Sequence, residues 1–266
     1  MSRIEKTFDA LKKEGRKAFI PFVMAGDPSL EQTGAFLKTL PENGADLIEI
    51  GMPFTDPMAD GPVIQAAGLR ALQNDIYLDK IFETVRTFRT INQMTPIILM
   101  GYVNTVLCYG AQEFAEAAHR AGIDGIILVD LPPEEDEEFR APLRAHNIDL
   151  IKLVTPTTKG ARLQTVLKNA AGFIYYVSIA GVTGTKEADM GAVKTHIDEI
   201  RTQTDLPIAV GFGIKTAAQV KDTAAFADAV VVGSALVKTI EKFSHSNDLV
   251  DNIVKQMREL TAGLRA

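Results

Sequence analysis

The sequence predicts an α/β fold, a closed (β/α)8 barrel in which eight parallel strands alternate with helices. Three observations carry that prediction. Short apolar runs alternate with longer amphipathic ones eight times along 266 residues, most steps lying near the ~30 residues of one βα unit. The last two apolar runs both end in glycine loops, whereas the first ends only in Gly26-Asp27-Pro28. A doubly wound open sheet, the rival arrangement, more often carries its glycine-rich loop after the first strand. No linker, low-complexity segment or charge block divides the chain, so one domain spanning residues 1–266 is expected.

Ser2 to Gly15 is charged and amphipathic and reads as an extra N-terminal helix. The expected strands are Ala18–Met24, Leu47–Gly51, Pro96–Met100, Gly125–Val129, Leu150–Val154, Phe173–Ser178, Pro207–Val210 and Ala229–Gly233. Each is almost continuously apolar, as parallel strands must be when helices cover one face and a barrel core the other. Helical patterns lie between them at Leu30–Asn43, Tyr77–Asn92, Gln112–Ala121, Glu134–His146, Ala161–Ala170, Met190–Thr202 and Thr216–Ala225, and Leu249–Leu264 closes the chain. Two further helices interrupt the alternation: Pro62–Asn74 after the second strand, and a short amphipathic run, Leu236–Lys242, after the eighth. The acidic run Glu134–Glu138 fits a first helical turn, where the dipole favours carboxylates.

A net charge of −6 argues against a partner that presents a nucleic-acid backbone. It leaves room for a small phosphorylated ligand, which a few backbone N–H groups can hold. Cys108 is the only cysteine, so no internal disulfide is possible and a reducing cytoplasm is the expected compartment. The first apolar run, Ala18–Gly26, is too short to cross a bilayer, and no membrane association is expected.

The glycine loops point to a ligand. Strand seven runs into Gly211-Phe212-Gly213-Ile214, and strand eight into Gly233-Ser234-Ala235 followed at once by the short helix. Barrels bind phosphate in this arrangement, because glycines let the backbone approach the anion and a helix start supplies N–H groups with partial positive charge. Ser234 can add its hydroxyl. A glycine at a strand end also serves simply to turn the chain, and only the pair of loops in consecutive units favours the phosphate reading.

Glu49 breaks an otherwise apolar strand, Leu47-Ile48-Glu49-Ile50-Gly51. Alternation puts it on a face with Leu47 and opposite Ile48 and Ile50, so isoleucines packed on helices would aim Glu49 into the barrel mouth. A carboxyl there has a raised pKa unless paired, which suits a group that both gives and takes protons near neutrality. A structural ion pair is the alternative, with Lys152 as the clear partner among the strands. Asp60 lies in the loop that follows, Met52 to Pro62, at the end of the strand where barrel active sites are built. It faces the same pocket as Glu49, or it merely precedes the helix that Pro62 opens. Asp56 is open between loop structure and a partner contact.

The stretch Ile179–Asp189 after strand six, with two glycines among small residues, reads as a lid over the mouth. His119, His146, His196 and His245 all lie away from the strand ends, so neither a metal site nor a Ser-His-Asp triad is expected. Cys108 has no nearby helper and reads as structural.

Several blocks together resemble the tryptophan synthase alpha family over nearly the whole length. They are Pro21-Phe22-Val23 with Gly26-Asp27-Pro28, Glu49 through Gln65 (EIGMPFTDPMADGPVIQ), Met100-Gly101-Tyr102-Val103-Asn104, Gly122–Pro132, Tyr176-Val177-Ser178 with Gly181–Gly184, Gly211–Ile214 and Gly233-Ser234. The PFTDPMADGP run is highly specific to that family. The resemblance implies a carbon–carbon lyase that splits indole-3-glycerol phosphate into indole and glyceraldehyde 3-phosphate by retro-aldol cleavage. It implies Glu49 as the proton shuttle and Asp60 as the partner of the indole N–H. Phosphate would rest on Gly184, Gly213, Gly233 and Ser234. Phe22, Met100, Ile127, Tyr175, Phe212 and Val231 would wall the indole, and Thr183 would reach Asp60 from the lid. No cofactor is implied in this chain; indole would pass through a tunnel to a pyridoxal-phosphate beta subunit in an alpha-beta-beta-alpha heterotetramer. Pro53, Asp56 and an Asn104–Tyr109 loop lie where that partner would dock. Two positions depart from the family pattern: Ile179 stands where many relatives carry Arg, and Thr105 where proline is common.

Rival readings make different predictions. A flavin-dependent barrel oxidoreductase would use the same phosphate loops but leaves the Glu49/Asp60 pair unexplained. A non-catalytic barrel that activates a partner would survive loss of Glu49, and a stand-alone lyase would ignore an added beta subunit.

Overall fold

In the structure, a computed structural model that describes residues 1–177, 190–211 and 213–265, all strands join one parallel sheet rolled into a barrel. The strands are β1 (Ala18–Met24), β2 (Ile48–Gly51), β3 (Ile97–Gly101), β4 (Gly125–Leu128), β5 (Asp149–Leu150), β6 (Lys152–Val154), β7 (Ile174–Val177), β8 (Ile208–Gly211) and β9 (Ala229–Val232). Their order, β5-β4-β3-β2-β1-β9-β8-β7-β6, begins and ends on segments separated by one residue, Ile151. The expected strand Leu150–Val154 is thus two short pieces. The first pairs with β4 and the second with β7, and the Ile151 N–H donates to Ile126 O at 2.9 Å. Barrel closure requires such a stagger between neighbours, and here it falls within one strand.

The helices are α1 (Arg3–Lys13), α2 (Leu30–Glu42), α3 (Pro62–Leu72), α4 (Leu78–Arg89), α5 (Val103–Tyr109), α6 (Ala111–Ala121), α7 (Glu137–Ala145), α8 (Gly160–Leu167), α9 (Met190–Arg201), α10 (Ala217–Ala224), α11 (Ser234–Phe243) and α12 (Leu249–Arg265). The extra helices expected at the N-terminus and after the second and last strands are α1, α3 and α11. One expectation is corrected: Asn104–Tyr109 is not a loop but most of α5, a helix after β3 whose Val106 is buried and whose Tyr109 ring meets Phe82 edge-on at 5.9 Å. The acidic run divides between a 3-10 turn, Pro133–Glu135, and the start of α7. No helix of the described residues is long and apolar enough to cross a membrane.

Two hydrophobic layers follow from the two-residue period of the strands. Inward side chains such as Ala18, Ile20, Leu47, Ile98, Ile127, Tyr175, Ala209 and Val231 fill the barrel. Outward ones such as Phe19, Ile48, Ile50, Leu99 and Val230 pack under the helices. Helix α1, started by a Ser2/Glu5 capping box, closes the barrel floor with Ile4, Phe8 and Leu11, and the Phe8 and Phe173 rings lie 5.8 Å apart.

The floor is anchored by charge. Asp124, with its side chain 5% exposed, accepts from Arg89 Nη2 at 2.7 Å, Arg3 Nη1 at 2.8 Å and the Ile97 N–H at 2.8 Å. Burial pulls the Arg89 guanidinium down to about 10 even with Asp124 beside it. Asp124→Ala strands that buried cation, and urea unfolding should show a loss of about 3–5 kcal/mol. A loss under ~1 kcal/mol would remove Asp124 from its anchoring role.

Candidate active site

Glu49 lies where alternation put it. Leu47 belongs to the barrel interior and Ile48 and Ile50 to the layer under the helices, so Glu49 projects inward, level with Phe22 on β1 and Ile98 on β3. It is 1% exposed, and neither carboxyl oxygen finds a hydrogen-bond partner among the described residues. Lys152, the possible counterion, turns the other way and meets Asp136 at 2.5 Å. Burial first, and the charge of Asp60 second, push Glu49 from its ordinary 4.5 to about 8.

Asp60 arrives from the β2–α3 loop. Gly51 ends β2, and a side chain there would run into the Phe22 ring at 2.6 Å. Proline at the first position of α3 sets the direction of exit from the loop, and the Gln65 amide donates to the Asp60 carbonyl at 2.8 Å. At the other end of α3, Arg70 grips the buried Asp27 carboxylate with two bonds of 2.8 Å, fixing the helix to the β1–α2 connection. Burial raises Asp60 to about 6, against the pull of a hydrogen bond from the Tyr102 hydroxyl.

Sequence reasoning gave Tyr102 no role, although it stands directly after β3, at the same strand-end position that singled out the Asp60 loop. Its hydroxyl also accepts the Ala59 N–H at 3.0 Å, and its ring stacks on Phe54 at 5.3 Å. Tyr102→Phe removes a donor that favours the charged form, so Asp60 should titrate higher. The acid limb of the pH–rate profile is then expected to move up by roughly half to one unit. An unmoved limb would separate Tyr102 from Asp60 function.

Both carboxylates open on one cavity of about 1370 Å³, which Phe22, Met100, Tyr175 and Val231 also line. Tyr175 fits because Gly211 has no side chain: a Cβ there would lie 2.5 Å from its hydroxyl. Gly213, Gly233 and Ser234 line the cavity too. Gly213 has φ +77°, which glycine adopts without strain, and Gly233 caps α11, whose first residue is Ser234. The cavity therefore combines two carboxylates and aromatic walls with glycine loops and a helix N-terminus. Such a site can grip an anion and move protons on a flat apolar group beside it.

The remaining sequence expectations divide. Ile127 is buried among the interior side chains and does not line the cavity. Thr183, Gly184, Phe212 and the proposed lid, 179–189, lie outside the described residues. Asp56 and Asn104 are exposed and Pro53 half-buried, all off the cavity, near the exposed Met58 and Leu107. Among the described residues no cluster of metal-ligating side chains exists. His196 is held by Tyr176 and the Thr158 carbonyl, and His119 packs on His146; none of these three histidines lines the cavity.

Residues 8–265 match the family model described as tryptophan synthase alpha chain. Among solved structures, tryptophan synthase subunit alpha from Legionella pneumophila str. Paris is 39% identical, with 100% of this chain and 99% of that one covered and a TM-score of 0.93. A chain of Mycobacterium tuberculosis tryptophan synthase is 32% identical, covering 100% and 99%, with a TM-score of 0.90. With the barrel, the paired carboxylates and the glycine loops in place, these matches show that the chain belongs to the tryptophan synthase alpha chain family.

Proposed function

We propose that Glu49 and Asp60 are the catalytic pair of the reaction this family performs. The chain is a carbon–carbon lyase of tryptophan biosynthesis: it splits indole-3-glycerol phosphate into indole and glyceraldehyde 3-phosphate, and the indole goes to a beta subunit. The observation that carries the residue assignment is the buried Glu49 carboxyl, which has no hydrogen-bond partner among the described residues and is pushed up to about 8. At pH 7 roughly nine in ten such groups hold their proton, ready to donate.

The step balances with these residues alone. Protonated Glu49 gives its proton to indole C3, and the positive charge that develops on the ring is met by Asp60, which accepts the indole N–H. The Glu49 carboxylate then takes the proton of the glycerol hydroxyl next to the ring. As that O–H becomes C=O, the carbon–carbon bond to C3 breaks and its electron pair returns to the ring, giving indole and the aldehyde. Glu49 ends protonated, as it began. Burial supports this division of labour, since it holds one carboxyl near 8 and the other near 6.

Phosphate rests on the N–H groups and hydroxyl at Gly213, Gly233 and Ser234, with Gly184 beside them. By the family resemblance, Phe22, Met100, Ile127, Tyr175, Phe212 and Val231 wall the indole, and Thr183 is the partner of Asp60. The barrel acts as one domain, residues 1–266, in the cytoplasm. It uses no metal and no cofactor of its own; pyridoxal phosphate belongs to the beta partner. Pro53, Asp56 and Asn104 dock that partner in an alpha-beta-beta-alpha heterotetramer, and the exposed Met58 and Leu107 nearby supply apolar contact. Indole release from indole-3-glycerol phosphate, measured while beta subunit is titrated in, tests the reading. Release should rise and saturate with beta; no release above background at saturation would overturn it.

A further inference from the structure

The chain carries a net charge of −6, so its far field repels a dianionic substrate. Local cations at the mouth must offset that repulsion. Among the described residues, four basic ones line the cavity: Lys152, Arg162, Lys215 and Lys238. Two are neutralised, Lys152 by Asp136 and Arg162 by Glu134. Lys215 and Lys238 form no ion pair among the described residues, and they flank the two glycine loops. Lys215 comes two residues after Gly213, and its own N–H is fixed by Gln219 Oε1 at 2.8 Å. Lys238 is one turn along α11 from Ser234. Helical side chains lean toward the N-terminus, so its ammonium extends back over the turn that presents Gly233 and Ser234. The acidic groups that share the cavity among the described residues are Glu49 on β2, Asp60 and Asp130 in loops after β2 and β4, and Asp222 on α10.

We propose that Lys215 and Lys238 are the charge-selecting residues of the phosphate end: they draw the dianion to the mouth and hold it while the backbone donors engage. They take no part in the cleavage step. The inference rests on phosphate binding at Gly213, Gly233 and Ser234. Both side chains are exposed, so their action is a screened, medium-range attraction. At a separation of about 8 Å in water, each lysine should strengthen capture of a dianion about fivefold at low salt.

The experiment compares the wild-type chain, saturated with beta subunit, with K215Q/K238Q as ionic strength is varied. At ~10 mM ionic strength kcat/KM should fall about 10- to 30-fold with kcat unchanged, and at ~0.5 M the two proteins should agree within about twofold. The wild-type kcat/KM should decrease with salt, and the variant's should stay flat or increase. Inorganic phosphate, used as a competitive inhibitor, should weaken in parallel, and K215R/K238R should restore the wild-type salt dependence. A variant with the wild-type salt dependence, or one whose kcat falls instead, overturns the proposal. If inorganic phosphate fails to inhibit the wild-type enzyme at any salt concentration, the phosphate assignment itself falls. If it inhibits both proteins equally, only the role of the lysines does.

Discussion

Glu49→Gln is expected to lower indole release about 10³-fold, within the range that general acid–base groups supply, and to stabilise the protein in alkaline buffer. The two effects have one cause. Folding raises the Glu49 pKa from 4.5 to about 8. Between those values the folded chain holds a proton that the unfolded chain has released. Stability contributed by the protonated form is therefore complete below the unfolded value, declines as pH rises, and is lost above the folded value. The cost of ionising Glu49 in place is on the order of 4 kcal/mol. Glutamine is neutral throughout and escapes it. Urea unfolding should find the variant close to wild type at pH 5 and several kcal/mol more stable at pH 9. A variant no more stable than wild type at pH 9 would mean that Glu49 ionises freely in the fold.

The second large effect belongs to Asp60. Asp60→Asn removes the charge that faces the developing ring cation, and kcat should drop about 10²-fold or more, as when one preorganised electrostatic partner is lost. The proposed phosphate donors are Gly213, Gly233 and Ser234 rather than Asp60, so inhibition by inorganic phosphate should change little. Because Asp60 also pushes Glu49 upward, its neutralisation lets Glu49 titrate lower, and the alkaline limb of the residual activity should move toward acid. A drop in kcat together with a comparable loss of phosphate inhibition would point to collapse of the cavity rather than loss of one charge.

How much of this was legible beforehand depends on the range of the physics involved. The inward aim of Glu49 follows from a period of two, and its neighbours Leu47, Ile48 and Ile50 divide between the layers accordingly. Glycine loops and helix starts are equally local, and so the convergence of Gly213, Gly233 and Ser234 on one cavity was legible. The break at Ile151 was not, because strand stagger is a property of the closed barrel and leaves no mark on one segment. For Ile127, inward facing was predictable by the same alternation, whereas its depth along the barrel is not written in one strand. Helix α5 escaped for another reason. Val103–Tyr109 is rich in residues of modest helix propensity, and burial of Val106 with Tyr109 against Phe82 decides its form. Tyr102 could have been found, since it stands at a strand end like the loop that holds Asp60.

The central claim is that a carboxyl inside the barrel, without a counterion, shuttles protons near neutrality. A pH titration of the Glu49 carboxyl carbon by ¹³C NMR tests it most directly, with Glu49→Gln used to assign the resonance. The expected midpoint is about 8. A midpoint near the ordinary 4.5 would contradict the claim, because Glu49 would then hold almost no proton to donate at neutral pH.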